Sequence, residues 1–313
     1  MKPTNHKSNS IKVDKTIEKF SKTFSIVVCY QPDKERLNLL CKQLIVAGSG
    51  VILVDNTEEP YLDQSALLDG CILLTLGCNR GIAYAQNIGI DTGILNGGEI
   101  FAFFDQDSQV NYESVSLLVS ELIIGKPGIV SPICLDNLSH EELPAQIIDS
   151  CGMTRPKFYN GGKVPYFVDI VISSGTTCTK EAFKIVGKFD NDLFIDYVDI
   201  DWCLRCREKN IPIKVVPSAV IYHRIGSKTV NLGPINMHVH SPERCYYQIR
   251  NSLNLFRKPH VTFILAAQLS VSTILNRLFL IFLMKQKKYT YMKLFFHAIY
   301  DGLLGVVGPL KIK

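Results

Sequence analysis

Ile100-Phe101-Ala102-Phe103-Phe104-Asp105-Gln106-Asp107-Ser108 is the stretch on which the rest of this chain turns. Its apolar run, rich in aromatics, predicts a short strand buried on both faces. Two carboxylates spaced by one residue follow at the C-terminal end, at the sheet edge where open α/β folds bind ligands. Carboxylates that close repel one another unless something positive sits between them, and a divalent cation is the usual answer. An Asp- and Ser-rich turn accounts for the same residues without any ligand. Metal site and plain turn both stay open on these residues alone.

Upstream, the pattern repeats. Phe24 to Tyr30 is a β-rich apolar run that stops at Gln31-Pro32-Asp33, because proline cannot continue a central strand. Leu37, Leu40, Cys41, Leu44 and Ile45 recur at helical spacing from Lys34 to Ala47, and Gly48 and Gly50 end that helix. Val51 to Asn56 is a second strand ending in a carboxylate, and Cys71 to Leu76 a third. The loop from Gly77 to Arg80 then leads into a helix starting near Gly81, whose N-terminal amides could face an anion. Strand, helix and strand with short connections predict parallel pairing by right-handed crossovers. The layout suits a nucleotide, but not in the NAD manner. Cys29-Tyr30-Gln31-Pro32 stands where a Gly-x-Gly-x-x-Gly cradle would be, and no Walker loop occurs.

Downstream, the spacing predicts a helix from Tyr112 to Ile124 and a strand from Gly128 to Pro132. An irregular stretch from Leu135 to Pro165, a strand from Val168 to Ser173 and a small-residue loop at Ser174-Gly175-Thr176-Thr177 follow. After a helix through Val186, Asp190, Asp192, Asp196, Asp199 and Asp201 crowd one span, too many to bury without cations or hydroxyls to meet them. From Asp199 to Lys209 the pattern is helical, so Asp199 and Asp201 also fit the plain role of favouring a helix N-terminus. A last strand, Val215 to Tyr222, is followed by His223.

The bulk numbers bound the partners. The chain has 313 residues, 47% hydrophobic and 20% charged, enough for one large or two modest domains. The net charge of +5 is mild and concentrated in Lys2 to Lys22 and Arg250 to Lys313. That distribution suits an anionic lipid surface better than a nucleic acid, for which no signature appears. The ten cysteines are scattered, several lie in apolar runs, and no secretory signal opens the chain. They are expected to be reduced, in a protein at the inner, cytoplasmic face of the cell membrane.

Taken together, these pieces resemble an inverting nucleotide-sugar glycosyltransferase of family 2, within it the bacterial rhamnosyltransferase branch. The resemblance rests on Asp55-Asn56, on Asn79-Arg80-Gly81-Ile82-Ala83-Tyr84-Ala85-Gln86-Asn87-Ile88-Gly89-Ile90, and on Phe103 to Ser108. Further along it rests on Ser173-Ser174-Gly175, Asp199-Ile200-Asp201-Trp202-Cys203-Leu204-Arg205 and Tyr246-Tyr247-Gln248-Ile249-Arg250-Asn251. These occur in the family's order over residues 24 to 255.

The resemblance implies a GT-A fold, an α/β architecture with a mixed, mostly parallel sheet flanked by helices. It implies a lead-in at 1–22, a transferase domain at 23–255 (nucleotide-binding half 23–110, acceptor-binding half 111–255) and an apolar helical extension at 256–313. Cys29, Tyr30, Asp55, Asn56, Asn79, Arg80, Gly81, Asn87 and Asp105 would bind the nucleotide, with Asp55 accepting from the pyrimidine N3–H. Asp105 and Asp107 would hold Mg2+ or Mn2+, and His223 would add a ligand to the metal or phosphate or be a structural histidine. Asp199 matches the catalytic base. Ser174, Gly175, Trp202 and Arg250 would meet the acceptor or the donor sugar. The family's acidic residue before the base is Val198 here, a departure that Asp196 could partly compensate.

The implied activity moves L-rhamnose from dTDP-L-rhamnose to a saccharide acceptor, lipid-linked in one version, in the synthesis of a bacterial surface polysaccharide such as O-antigen, capsule or cell-wall glycan. A UDP-sugar donor, a nucleotidyltransferase and a catalytically dead nucleotide-sugar-binding scaffold are the rivals. The two apolar stretches, Val261 to Met284 and Met292 to Leu310, are expected to lie on the membrane surface or to form a homodimer. A true span meets the cost of Arg277 near its centre, and soluble core helices are the plain alternative.

Overall fold

The computed structural model describes residues 21–59, 61–137, 139–223, 228–232, 235–284 and 287–311. Most of the expected 1–22 lead-in lies outside the described residues. The first half follows the βα rhythm: β1 (Thr23–Cys29), α1 (Lys34–Val46), β2 (Gly50–Asp55), β3 (Cys71–Thr75), α2 (Ile82–Leu95) and β4 (Ile100–Asp105). The second half runs α3 (Tyr112–Ser120), β5 (Ile129–Asp136), β6 (Ala145–Ile148), β7 (Thr154–Lys157), β8 (Tyr166–Val168), β9 (Thr177–Thr179), α4 (Lys180–Val186), α5 (Val198–Glu208) and β10 (Ile213–His223). It ends with β11 (Lys228–Leu232), β12 (Ile235–Val239), α6 (Pro242–Asn254), α7 (Phe263–Leu283) and α8 (Lys288–Leu304).

Eight strands form one sheet in the order β3-β2-β1-β4-β9-β5-β10-β8. β3, β2, β1 and β4 are parallel, as are β5 and β10, while β9 and β8 run against their neighbours. Alternation explains why the strands are apolar throughout. Ile26, Ile52, Val54, Phe101 and Phe103 pack on one face, and Val27, Val51, Leu53, Ala102 and Phe104 on the other. Register then sets the functional edge: Cys29 pairs with Asp55, and Val28 with Asp105. Two strand-end carboxylates are thereby brought to flank the end of β1.

Three expectations differ from the structure. The strand expected from Val168 to Ser173 ends at Val168, and a loop carries the chain to β9. Gly175 makes that loop possible: its φ is +78, an added Cβ would lie 2.5 Å from Pro132 Cγ, and its N–H donates to the Phe103 carbonyl at 2.6 Å. The stretch from Leu135 to Pro165, expected to be irregular, contains the β6–β7 hairpin, and β11–β12 form another after His223. The segment from 256 onward is no appended tail. Tyr246 Oη donates to Asp301, Asn254 to the Val306 carbonyl and Arg257 to the Gly302 and Leu303 carbonyls, while Tyr247 Oη accepts from Leu310 N–H. All ten cysteines are free, and Cys203 and Cys206 are buried in α5.

Candidate active site

The β4 edge is a built turn. Ser108 N–H donates to the Asp105 carbonyl (3.0 Å), Ser108 Oγ accepts from Asp105 N–H (3.1 Å), and Ser108 Oγ meets Ser174 Oγ at 2.8 Å. Ser174, expected beside a sugar, is buried and instead braces this turn. Gln106 locks the turn to β1: its Oε1 accepts from Tyr30 N–H (2.6 Å) and its Nε2 donates to the Tyr30 carbonyl (3.1 Å). The Cys29 side chain is fully buried, which pushes its thiol pKa well up and leaves only backbone beside any ligand. Asp107 is half-buried in the same turn.

Facing this turn, His223 Nδ1 lies 3.3 Å from Asp105 Oδ2, yet it is a buried nitrogen with no hydrogen-bond partner. An orphaned imidazole nitrogen aimed at a carboxylate is what a metal-ligand pair looks like before a cation bridges it. Among the described residues no group of three His, Cys, Asp or Glu side chains forms a cage. A cation here would therefore complete its shell with water and substrate oxygens, as Mg2+ and Mn2+ commonly do.

On the nucleotide side the side chains shape loops. Asp55 is fully buried, and its carboxylate accepts from the N–H groups of Thr57 (3.2 Å), Tyr61 (2.9 Å) and Leu62 (3.0 Å). It thus builds the loop after β2. Asn56 Oδ1 accepts from Arg80 N–H (2.8 Å), Asn56 Nδ2 donates to Asn79 Oδ1 (3.1 Å), and Asn79 Oδ1 also accepts from Gly81 N–H (3.0 Å). Ile82 N–H donates to the Phe194 carbonyl at 2.7 Å. The amides of Arg80, Gly81 and Ile82 are therefore all committed to protein partners. Gly81 permits this docking: a Cβ there would sit 2.5 Å from Phe194 O. Arg80 itself is exposed, its Nε on Cys78 Sγ and its guanidinium over the Tyr84 ring.

Across the cleft lies the loop before α5. Phe194, Asp196 and Tyr197 all have positive φ (65, 61 and 64), which costs about 1–2 kcal/mol for each such residue. The α6 helix holds them there. Asn251 Nδ2 donates to the carbonyls of Leu193 (2.8 Å), Ile195 (2.8 Å) and Asp196 (3.0 Å). Arg250, fully buried, donates to the Asp192 and Leu193 carbonyls, to Gly308 O and to Asn251 Oδ1. Arg250 is thus a loop brace and does not reach a sugar. Arg244 grips the Asp196 carboxylate through Nε (3.1 and 3.3 Å) and Nη2 (3.1 Å), and Gln248 Nε2 lies 3.4 Å from the same group.

This loop delivers Asp199 into the first turn of α5, partly exposed. The protein packed around the carboxylate pushes its pKa up to about 6; the Ile200 N–H at 2.9 Å pulls it down and the Asp196 charge pushes it up again. The Ser173 N–H also acts on it, and Ser173 Oγ accepts from Gln86 Nε2 at 2.8 Å. Asp201 points elsewhere. It is buried between Arg205 Nε and His260 Nε2, both at 2.9 Å; burial opposes its charge, but His260 and the Arg205 charge outweigh that and hold its pKa low. Trp202 is core, its Nε1 on the Gly187 carbonyl and its ring against Phe183 and Phe189. Asn87 spends its amide on Phe189 and Asn191, tying α2 to the acid-rich loop. Neither Trp202 nor Asn87 can touch a ligand from these positions.

The residues the sequence did not single out are Gln106, Gln86, Arg244 and Gln248. A signal existed for the last two: Arg244, Gln248 and Asn251 stand at i, i+4 and i+7, on one face of α6.

No sequence-family model matches the chain. It is 36% identical, over 92% of its length and 97% of the relative's, to the dTDP-rhamnosyl transferase RfbF of Shigella flexneri. It is 24% identical, over 60% of its length and 62% of the relative's, to the low-salt glycan biosynthesis hexosyltransferase Agl10 of Haloferax volcanii. Among solved structures, Staphylococcus aureus TarS in complex with UDP-GlcNAc superposes with a TM-score of 0.52 at 16% identity, covering 91% of this chain and 81% of that one. GalNAc-T7 with UDP, GalNAc and Mn2+ gives 0.54 at 13% identity, covering 73% of this chain and 47% of that one. These last two likenesses bear on the fold, and the first on kinship: the chain belongs to the bacterial rhamnosyltransferase branch of the family 2 glycosyltransferases, with the GT-A fold.

Proposed function

We propose that this transferase moves L-rhamnose from dTDP-L-rhamnose onto a hydroxyl of a saccharide acceptor, with inversion, in building a bacterial surface polysaccharide. Kinship with the Shigella flexneri enzyme supports the donor. The observation that carries the chemistry is Asp199, a carboxylate whose pKa of about 6 makes it a far better proton acceptor than an ordinary aspartate, yet leaves it ionised at neutral pH. In the reaction the acceptor hydroxyl attacks the anomeric carbon from the face opposite the diphosphate and gives its proton to Asp199. The bond from anomeric carbon to phosphate oxygen breaks with its electron pair on the oxygen. One base suffices, because inversion by direct displacement needs no enzyme nucleophile.

Asp105, Asp107 and His223 are the residues that would hold Mg2+ or Mn2+, the cation supplying positive charge to the leaving diphosphate. Gln106 and Ser108 keep that turn in place. Asp55, Asn56, Asn79 and Gly81 act one step back, by shaping the loops a nucleotide would lie against.

The acceptor reading extends to the C-terminal helices, which we assign to an anionic membrane surface, the place of a lipid-linked saccharide. Residues 256–313 carry nine Lys and Arg side chains and one acid, Asp301, which is buried against Tyr246. α7 is long and apolar enough to cross a membrane, with a mean hydropathy of 1.6. It is nonetheless fastened along its length to the transferase domain by Gln268 on Thr154, Ser270 on Ser252 and Thr273 on Tyr197. Val271, Leu275, Phe279 and Phe282 leave one stripe of α7 exposed, and Tyr289, Lys293, Phe296 and Tyr300 one stripe of α8. The excess of cations in the segment favours anionic lipid as what those stripes meet.

A panel of dTDP- and UDP-sugars tests the donor: release of dTDP from dTDP-rhamnose ahead of all others is the expected result, and preference for a UDP-sugar would sink the assignment. Asp199→Asn should abolish transfer and keep nucleotide binding. Full residual activity would remove Asp199 from the role of base.

A further inference from the structure

We propose that Arg244 is a diphosphate-binding residue of this transferase, its guanidinium resting on Asp196 until the donor arrives and then turning to the leaving phosphate. The proposal builds on the glycosyltransferase reading but not on the identity of the sugar. It begins with what a leaving diphosphate lacks in this site. The amides of Arg80, Gly81 and Ile82 are already used by Asn56, Asn79 and Phe194, so they are not free to meet an anion. The Arg80 guanidinium sits on Cys78 and the Tyr84 ring. Among the described residues, Arg80 is the one cation that the loop before α2 contributes, and it is already engaged.

Arg244 lies where that charge is needed. It stands in the first turn of α6, fixed by its own N–H on the Ser241 Oγ at 3.2 Å. Burial works against its charge, but the carboxylates of Asp196, Asp105 and Asp199 outweigh it and raise the guanidinium pKa. One cation therefore lies within the field of the metal-side carboxylate and of the base, the two groups between which the reacting carbon must sit. Its side chain is 42% exposed while that of Asp196 is 13% exposed, so the Arg is the mobile partner of the pair. Nε and Nη2 are spent on Asp196, and Nη1 has no hydrogen bond among the described residues. When the guanidinium leaves, Asp196 keeps Gln248 Nε2, whose own Oε1 is buried without a partner and can accept one of the N–H groups that Arg244 withdraws.

A planar fork that can pair with phosphate oxygens suits this step, since charge grows there as the bond to the anomeric carbon breaks. The electron pair goes to the phosphate oxygen, the acceptor proton goes to Asp199, and Arg244 donates N–H bonds without changing its own protonation. Departure of Arg244 from Asp196 also uncovers a negative charge beside Asp199, making the base stronger when the donor is in place.

The bland alternative is that Arg244 only braces the loop through Asp196. In that case Arg244→Gln and Asp196→Asn, each breaking the same ion pair, lose diphosphate affinity alike. The test measures nucleoside diphosphate affinity by calorimetry, kcat, and the pH profile of kcat/KM for both variants. Binding of dTDP and UDP to the wild type comes first; if UDP is the tighter ligand, the donor assignment fails and Arg244 is judged on UDP. Arg244→Gln is expected to weaken diphosphate binding about tenfold or more, to lower kcat about 100- to 1,000-fold, and to shift the acid limb upward as the cation near Asp199 is lost. Asp196→Asn, which frees Arg244, should bind the diphosphate as tightly as wild type or more so. Equal affinities in wild type and Arg244→Gln, or an equal loss of affinity in the two variants, overturn the proposal. Should Arg244→Gln not fold, Arg244→Lys keeps charge on Asp196 but loses the fork. It is then expected to lower kcat about tenfold, and wild-type kcat and affinity in that variant would equally overturn it.

Discussion

Asn251→Ala tests how the loop before Asp199 is held. The Asn251 amide reaches three carbonyls, but Leu193 O keeps Arg250 and the Ile195 N–H as partners, so only Ile195 O and Asp196 O depend on it. Two buried acceptors left unpaired cost about 1–3 kcal/mol each, about 2–6 in all. Against this, Phe194, Asp196 and Tyr197 would regain about 1–2 kcal/mol each on leaving the left-handed region. The two sums are of one size, so the loop should relax before the domain unfolds. Global stability in urea is then expected to fall by only about 2 kcal/mol. Movement of Asp199 by an ångström should cost at least about 100-fold in kcat. Asn254→Ala is the control, one turn along the helix and holding only the Val306 carbonyl; it should lose about 1 kcal/mol and leave kcat alone. A kcat for Asn251→Ala within about threefold of wild type would refute the reasoning.

Three other outcomes follow from the geometry. With Asp199 as the base, kcat/KM should fall about tenfold for each pH unit below about 6 and level off above it, because the ionised form is the active one. The same raised pKa means ionisation costs stability between the unfolded value near 4 and about 6, so Asp199→Asn should gain up to about 3 kcal/mol at pH 8 and nothing at pH 3; equal stabilities at both would contradict it. Chelation should abolish transfer, and His223→Gln should raise the Mn2+ concentration for half-maximal activity about tenfold, an unchanged titration removing His223 from the metal. Vesicles containing anionic lipid should sediment the protein while neutral ones do not, and reversing Lys287, Lys288 and Lys293 to Glu should weaken that by about 1 kcal/mol for each charge; a dimer indifferent to vesicles would point to self-association.

The sequence reported the strands well, because a two-faced buried strand must be apolar at every position, as Val51 to Val54 and Ile100 to Phe104 are. It also located the acidic ends, since register follows from the βα rhythm. It did not show which protein groups Ser174, Trp202, Arg250 and Asn87 bond to, for a single physical reason. A polar residue in a motif looks the same whether it touches a ligand or satisfies backbone, and only the position of distant carbonyls separates the two. Asn87 meets residues 102 and 104 positions away, and Arg250 meets carbonyls 57 and 58 away. Val168 to Ser173 was a failure of another kind: Val168, Ile170 and Val171 are buried, but burial in a loop has the same composition as burial in a strand.

The placement of the base argues against ending the catalytic domain at residue 255. Asp190 pairs with Lys258, Asp201 with His260, and Asp192 O accepts from the Gly308 N–H, so three acidic positions around the Asp199 loop take partners from the last quarter of the chain. A carboxylate keeps a raised pKa only while the groups that desolvate it stay in place, since water entering the loop would return it toward an ordinary aspartate. The C-terminal segment thus helps to hold the elements on either side of Asp199. Its exposed apolar stripes and the site loop are attached to the same helix, α6, through Arg250 and Asn251 on one side and Tyr246 and Asn254 on the other. Whatever surface those stripes meet will bear on a helix that also holds the base, so the catalytic geometry and the docking of the enzyme share one mechanical support.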